Sequence, residues 1–156
     1  MSSHRIALSS AALALAGFVV AGDVAAQSAA DTVAARQSQF KLLAFNIGPL
    51  VGMAQGNMPY DAAMAQAAAD NLVAVASLDQ ARLWPEGTDS MAMDGTRALP
   101  AIWDDLEDFT TKFEALRTGV AEMQTAAGQD LDALRGALGG VGGACTACHD
   151  AYRQPQ

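Results

Sequence analysis

Two cysteines and one histidine dominate the chemistry available to this chain. They stand together as Cys145-Thr146-Ala147-Cys148-His149, and the chain ends seven residues later. No other cysteine occurs in the 156 residues, and the only other histidine is His4. This C-x-x-C-H spacing lets two thiols add across the two vinyl groups of one haem while the adjacent imidazole reaches the iron. Other uses of the same residues fail on ligand count or context. A structural zinc site needs four protein ligands, and only three are present. A thioredoxin-like pair needs strand–helix–strand surroundings, and no stretch alternates with strand periodicity. A disulfide between residues three apart closes too short a loop to staple much. One covalently attached haem c per chain uses all three groups at once.

The N-terminus carries a second message. His4 and Arg5 precede an apolar run from Ile6 to Gly22, and Val24-Ala25-Ala26 offers a small-residue exit that leaves Gln27 as the new first residue. A charged start, a short apolar middle and such an exit make a secretory signal over residues 1–26, ahead of a haem domain over 27–156. The competing reading is an uncleaved anchor, for which the segment sits near the lower length limit. Cleavage places the protein in the periplasm, where covalent haem attachment of this kind takes place, with no membrane association afterwards. The formal charge is −8, and removing Arg5 and Asp23 with the signal leaves it unchanged. So acidic a chain is a poor nucleic-acid binder; a basic redox partner or a small neutral ligand suits it better.

After residue 27 the pattern is all-α. A first helix over about 31–55 sets Val33, Arg36, Phe40, Leu43, Ile47 and Leu50 at spacings of three and four. A second, rich in alanine, covers about 59–78. A third starts at Pro100, with Trp103, Leu106, Phe109, Phe113, Leu116, Val120 and Met123 on one stripe, and a fourth opens at Asp130. On the fourth, Cys145 and Cys148 continue the apolar seam of Leu131, Leu134, Leu138 and Val141, which directs the haem into the core. Seven-residue periodicity in three helices favours near-parallel packing, hence an up-down-up-down four-helix bundle with residues 79–99 as its one long connection.

Some residues on this frame have two readings. Arg36 falls on the core seam, where a charge is costly without a partner. It either meets a haem propionate or snorkels to water. The glycines at 139, 140, 142 and 143 mark either a close approach of backbone to haem or a local kink. The methionines read as filler or loop, and Trp84, Trp103 and Phe113 as packing, with Trp84 a candidate for the haem edge. Asp104, Asp105, Glu107 and Asp108 suit the start of the third helix. They have no histidine or nucleophile to work with, so hydrolytic catalysis is unsupported and the chain reads as a non-enzyme.

These residues carry a resemblance. Ala35-Arg36-Gln37-Ser38, Pro59-Tyr60-Asp61-Ala62, Ile102-Trp103 and above all Cys145 to Arg153 resemble cytochrome c′, the high-spin class II c-type cytochromes, over residues 31–153. Four-helix bundles of this type include that family. The resemblance implies thioether bonds at Cys145 and Cys148 and His149 as the single axial iron ligand. It places Arg36 and Gln37 near the propionates, with Thr96 and Arg97 in the same role, and Arg153 on the proximal side. It also implies a homodimer through the first two helices.

Phe40 falls where the resemblance places the residue covering the distal face. A phenylalanine has no lone pair to donate, so the iron is expected to stay five-coordinate and high-spin, open to nitric oxide or carbon monoxide. Nitric oxide scavenging or carriage is the leading expectation. The alternative is an electron-transfer shuttle between periplasmic redox enzymes.

Overall fold

A computed structural model describes residues 28–155. The expected signal segment and its cleavage point lie outside the described residues. Among the described residues there are five helices: α1 (Ala29–Ala54), α2 (Ala62–Ala76), α3 (Ala101–Asp104), α4 (Leu106–Ala126) and α5 (Leu131–Tyr152). Each long helix opens on an oxygen-bearing side chain that accepts from a backbone N–H in its first turn. Ser28 accepts from Asp31, Asp61 from Met64, Asp105 from Asp108 and Asp130 from Ala133. Such caps each contribute about 1 kcal/mol. At the other end of α1, Gly56 takes φ +75, and its N–H and that of Gln55 bind the carbonyls of Met53 and Val51.

Two boundaries differ from the sequence reading. The second helix starts at Ala62, not Pro59, because Asp61 is its cap. The third is split: Pro100 starts a single turn, α3, and Asp105 then leaves helical geometry (φ −144, ψ 73) to cap α4. An apolar stripe passes through this break without marking it, since periodicity does not report a single residue's backbone angles.

The four long helices close a ring. α1 packs on α2 and α5, and α4 packs on α2 and α5, the arrangement of a four-helix bundle. One end is filled. Leu50, Met53, Leu72, Val120, Met123 and Leu134 are almost wholly buried there with the alanines of α2. Ala65, Ala68, Ala69 and Ala76 let α2 approach its neighbours closely. A smaller cluster of Ile102, Phe109 and Tyr152, joined by Trp84 and Trp103, sits beneath the long connection at the other end.

The glycine cluster of α5 has a role that neither reading supplied. α5 runs through it as one continuous helix. A Cβ at Gly119 of α4 would stand 3.1 Å from the backbone of Gly140 and Val141, so this pair sets the α4–α5 contact, whereas a Cβ at Gly139, Gly142 or Gly143 would meet nothing within 4 Å. Gly119→Ala is therefore expected to lower stability to urea by about 1–3 kcal/mol, as overpacking does. Gly139→Ala, in open space on the same helix pair, should raise it by about 0.5–1 kcal/mol through helix propensity. Equal effects from the two substitutions would contradict this packing.

Candidate functional site: a haem cavity between α1 and α5

α5 presents the three chemical groups one after another on its last turns. Cys145, Cys148 and His149 are each half-buried. They open onto a cavity of about 730 Å³ bounded by α1, the long connection, α4 and α5, well within the range of cofactor pockets. From α1 come Arg36, Gln37, Phe40, Leu43 and Ile47; from the connection, Trp84, Thr96 and Arg97; and beyond the end of α5, Arg153. All nine residues singled out by sequence (Arg36, Gln37, Phe40, Thr96, Arg97, Cys145, Cys148, His149 and Arg153) line this one cavity.

The connection is pinned to the chain just after the thiol motif and, across the cavity, to α1. Ala98 pairs with Arg153 in an isolated antiparallel bridge, with Leu99 N–H donating to Tyr152 O (3.0 Å) and Gln154 N–H to Arg97 O (2.8 Å). The Arg97 guanidinium also donates to the Gln154 carbonyl, through Nε at 2.9 Å and through Nη2. On the other side Gln37 Nε2 donates to Gly95 O at 2.7 Å.

Arg36 is the strongest pin. It is 3 % exposed, so snorkelling is ruled out. Nη1 donates to Thr88 Oγ1 (3.0 Å), and Nη2 donates to Thr88 O (2.7 Å) and Thr96 Oγ1 (2.9 Å). The guanidinium lies 4.5 Å from the centre of the Trp84 ring. Burial lowers its pKa, yet a guanidinium stays charged in proteins. The acceptors are all neutral, so Arg36 brings an uncompensated positive charge to the cavity wall.

Trp84 is held between that cation and an aromatic train. Phe40 meets it edge-on at 6.3 Å, Phe109 at 4.6 Å, and Tyr152 meets Phe109 at 5.5 Å. Tyr152 Oη donates to Asp108 Oδ2 (2.5 Å), and Asp108 also takes Lys112 Nζ (2.9 Å). Those two hydrogen bonds, from Lys112 first and then Tyr152, hold the Asp108 carboxyl below its usual range. Thr88, Lys41, Lys112 and Tyr152 were not among the expected site residues. Thr88 lies in irregular chain, where no periodicity flags it. Lys112 neighbours Phe113 on α4, a position that reads as ordinary helix surface.

Electrostatics at the three groups are compatible with a haem. Burial pushes both thiols up, and for Cys148 the neighbouring Cys145 adds to it. A redox-active thiol is instead shifted down. Burial pushes His149 down, reinforced by Arg153 and then Arg97, which favours the neutral imidazole that a metal requires. Thiols and imidazole, apolar walls and guanidiniums at the rim together fit a porphyrin with two carboxylates.

Comparison with known proteins gives the same answer. Residues 31–153 match the family model described as Cytochrome C'. The chain belongs to the cytochrome c′ family. It is 40 % identical to cytochrome c′ of Cereibacter sphaeroides across 96 % of this chain and 97 % of that one. It is 41 % identical to the same organism's cytochrome c-554, across 92 % and 95 %. The solved structure of cytochrome c′ from Rhodobacter spheriodes superimposes with a TM-score of 0.81 at 42 % identity, covering 83 % of this chain and 99 % of that one. As in the cytochrome c′ family generally, one haem c is attached covalently per chain.

In this cytochrome c′ the Arg36 fork has a separate stabilising part. Arg36→Met is expected to cost at least about 2 kcal/mol, because Thr88 and Thr96 lose a charged donor while buried. Arg36→Lys should recover little of that loss, since an ammonium cannot span both threonines. Urea unfolding measures the loss, and limited proteolysis within residues 77–99 reports release of the connection. Full rescue by lysine would refute the fork.

Proposed function

We propose that the chain is a periplasmic haem protein whose five-coordinate iron binds small gases, nitric oxide first, as a scavenger or carrier and not as a catalyst. In this reading Cys145 and Cys148 form the thioethers and His149 is the axial ligand. Arg36, Gln37, Thr96 and Arg97 serve the propionate side, and Arg153 lies on the proximal side. The bound haem supplies an iron with one coordination position left for a ligand.

The observation that carries the proposal is what lines the cavity opposite α5. Phe40 lies there, and none of the described methionines lines the cavity. Phe40, propped edge-on against Trp84, excludes water and offers no lone pair, so it leaves the sixth position free for a neutral gas while narrowing its entry. A solved structure related to this chain points the same way. A variant of cytochrome c prime from Alcaligenes xylosoxidans, 36 % identical with a TM-score of 0.71, was determined as its nitric oxide complex. Export to the periplasm rests on the signal pattern of residues 1–26. Among the described residues, no helix is long and apolar enough to cross a membrane.

Protein recovered from the periplasm, beginning at Gln27, should give a high-spin five-coordinate ferrous spectrum that shifts with carbon monoxide and with nitric oxide. Phe40→Met supplies a thioether and should convert the spectrum to low-spin. It should also weaken carbon monoxide about tenfold or more, as expected when most of the protein is closed to ligand. A low-spin wild-type spectrum unmoved by gas would sink the proposal.

We also propose a homodimer through α1 and α2. Phe45 is 77 % exposed, and Leu42 and Met64 are about half exposed; Leu42 and Phe45, three residues apart, share a face of α1. Phe45→Lys should yield a monomer in sedimentation equilibrium. A monomeric wild type would overturn this assembly.

A further inference from the structure

The charge of this protein is unevenly placed. Beyond residue 27 there are eight lysines and arginines against sixteen aspartates and glutamates. Five of the eight (Arg36, Lys41, Arg97, Lys112 and Arg153) border the haem cavity, and none of the sixteen carboxylates does. Away from the cavity, Arg117 and Arg135 are ion-paired with Glu114 and Asp132. At the cavity, among the described residues, the one ion pair is that of Lys112 with Asp108. Arg36 and Arg97 bind neutral oxygens, while Lys41 and Arg153 are exposed. Asp108, the partner of Lys112, lies outside the cavity lining, as do the exposed Asp94 and Asp150. With Arg36 and Arg97 serving the haem carboxylates in the reading above and Lys112 paired with Asp108, the exposed Lys41 on α1 and Arg153 after α5 are the collar cations left to a partner.

We propose that the cavity mouth is a docking face for a one-electron carrier protein whose own contact face is rich in carboxylates. This rests on the haem-cavity reading above and adds an electron-exchange partner to it. The overall charge of −8 points to a basic partner, but docking is governed by the field at the contact. Beyond a Debye length of about 8 Å at physiological salt, the distant carboxylates are screened. At the mouth the collar is what a partner meets, and complementary charge there speeds encounter and fixes orientation. One electron passes between the haem iron and the partner's redox centre, with no bond made and no proton moved.

The test uses the full holoprotein, with covalent haem first verified by intact mass; its absence would sink the haem reading before docking is addressed. Two double variants carry the same whole-molecule charge. Lys41→Gln with Arg153→Gln removes two collar cations, and both side chains are exposed. Gln55→Glu with Gln129→Glu adds two carboxylates at exposed positions at the far end of the bundle. Oxidation of the ferrous protein by hexacyanoferrate(III), an anion, should slow as salt rises from about 0.01 to 0.15 M. The collar variant should lose about tenfold of the low-salt rate, and the remote variant should stay near wild type. Polyglutamate should slow the same reaction, and it should shift the backbone amides around Lys41, Arg97 and Arg153 in the NMR spectrum. A rate that rises with salt, or equal loss in both variants, would show that net charge governs and would overturn the proposal. Salt-slowed oxidation with no effect of polyglutamate would also overturn it, leaving a site for small anions only.

Discussion

The structure depends on one buried cation. Arg36 sits on the core face of α1, where an isolated charge is prohibitively unfavourable, and the irregular connection between α2 and α3 folds around it. Thr88 and Thr96 hold the guanidinium by hydroxyl and carbonyl oxygens, and Trp84 lies against it. A connection of this length without regular structure has little to order it. Here a charge-assisted fork does so, and in the same act stands Trp84 up as a cavity wall. The segment that closes the site is thus held by a residue of the helix that lines it.

The two ends of the bundle solve opposite problems. At the filled end, alanines on α2 and the Gly119–Gly140 contact bring the helices close, and large apolar side chains complete the core. At the other end α1 and α5 must stand apart to admit a porphyrin, and the hydrophobic cluster moves sideways beneath the connection to Ile102, Phe109 and Tyr152. The bridge of Ala98 to Arg153 ties that cluster to the turn carrying His149. Close packing at one end anchors an opening at the other.

Much of this was legible in the chain because helices write their buried faces at a fixed period. The four long helices, the side of α5 that carries Cys145 and Cys148, and the long connection all follow from that period and from the cap residues. The break at Asp105 was not legible, since the apolar stripe continues through it from Trp103 to Phe109. The partners of Arg36 were not legible either. Thr88 and Thr96 lie some fifty to sixty residues away in irregular chain, where spacing carries no information about three-dimensional neighbours. The glycines of α5 were readable as an anomaly but not as a contact, because the other half of that contact, Gly119, lies on a different helix.

Charge shows the same limit in another form. A total of −8 is a sum over the whole surface, and a sum discards position. The carboxylates of this chain gather at helix starts, where Asp31, Asp61, Asp105, Glu107, Asp108, Asp130 and Asp132 offset the exposed N–H groups. That use answers to backbone electrostatics and not to any partner. The cations answer to a different demand: a cofactor with two carboxylates, held in an apolar cavity, needs positive charge at its edge. The two demands act at different places, so an acidic protein ends with a basic mouth, and its net charge misreports what approaches the iron.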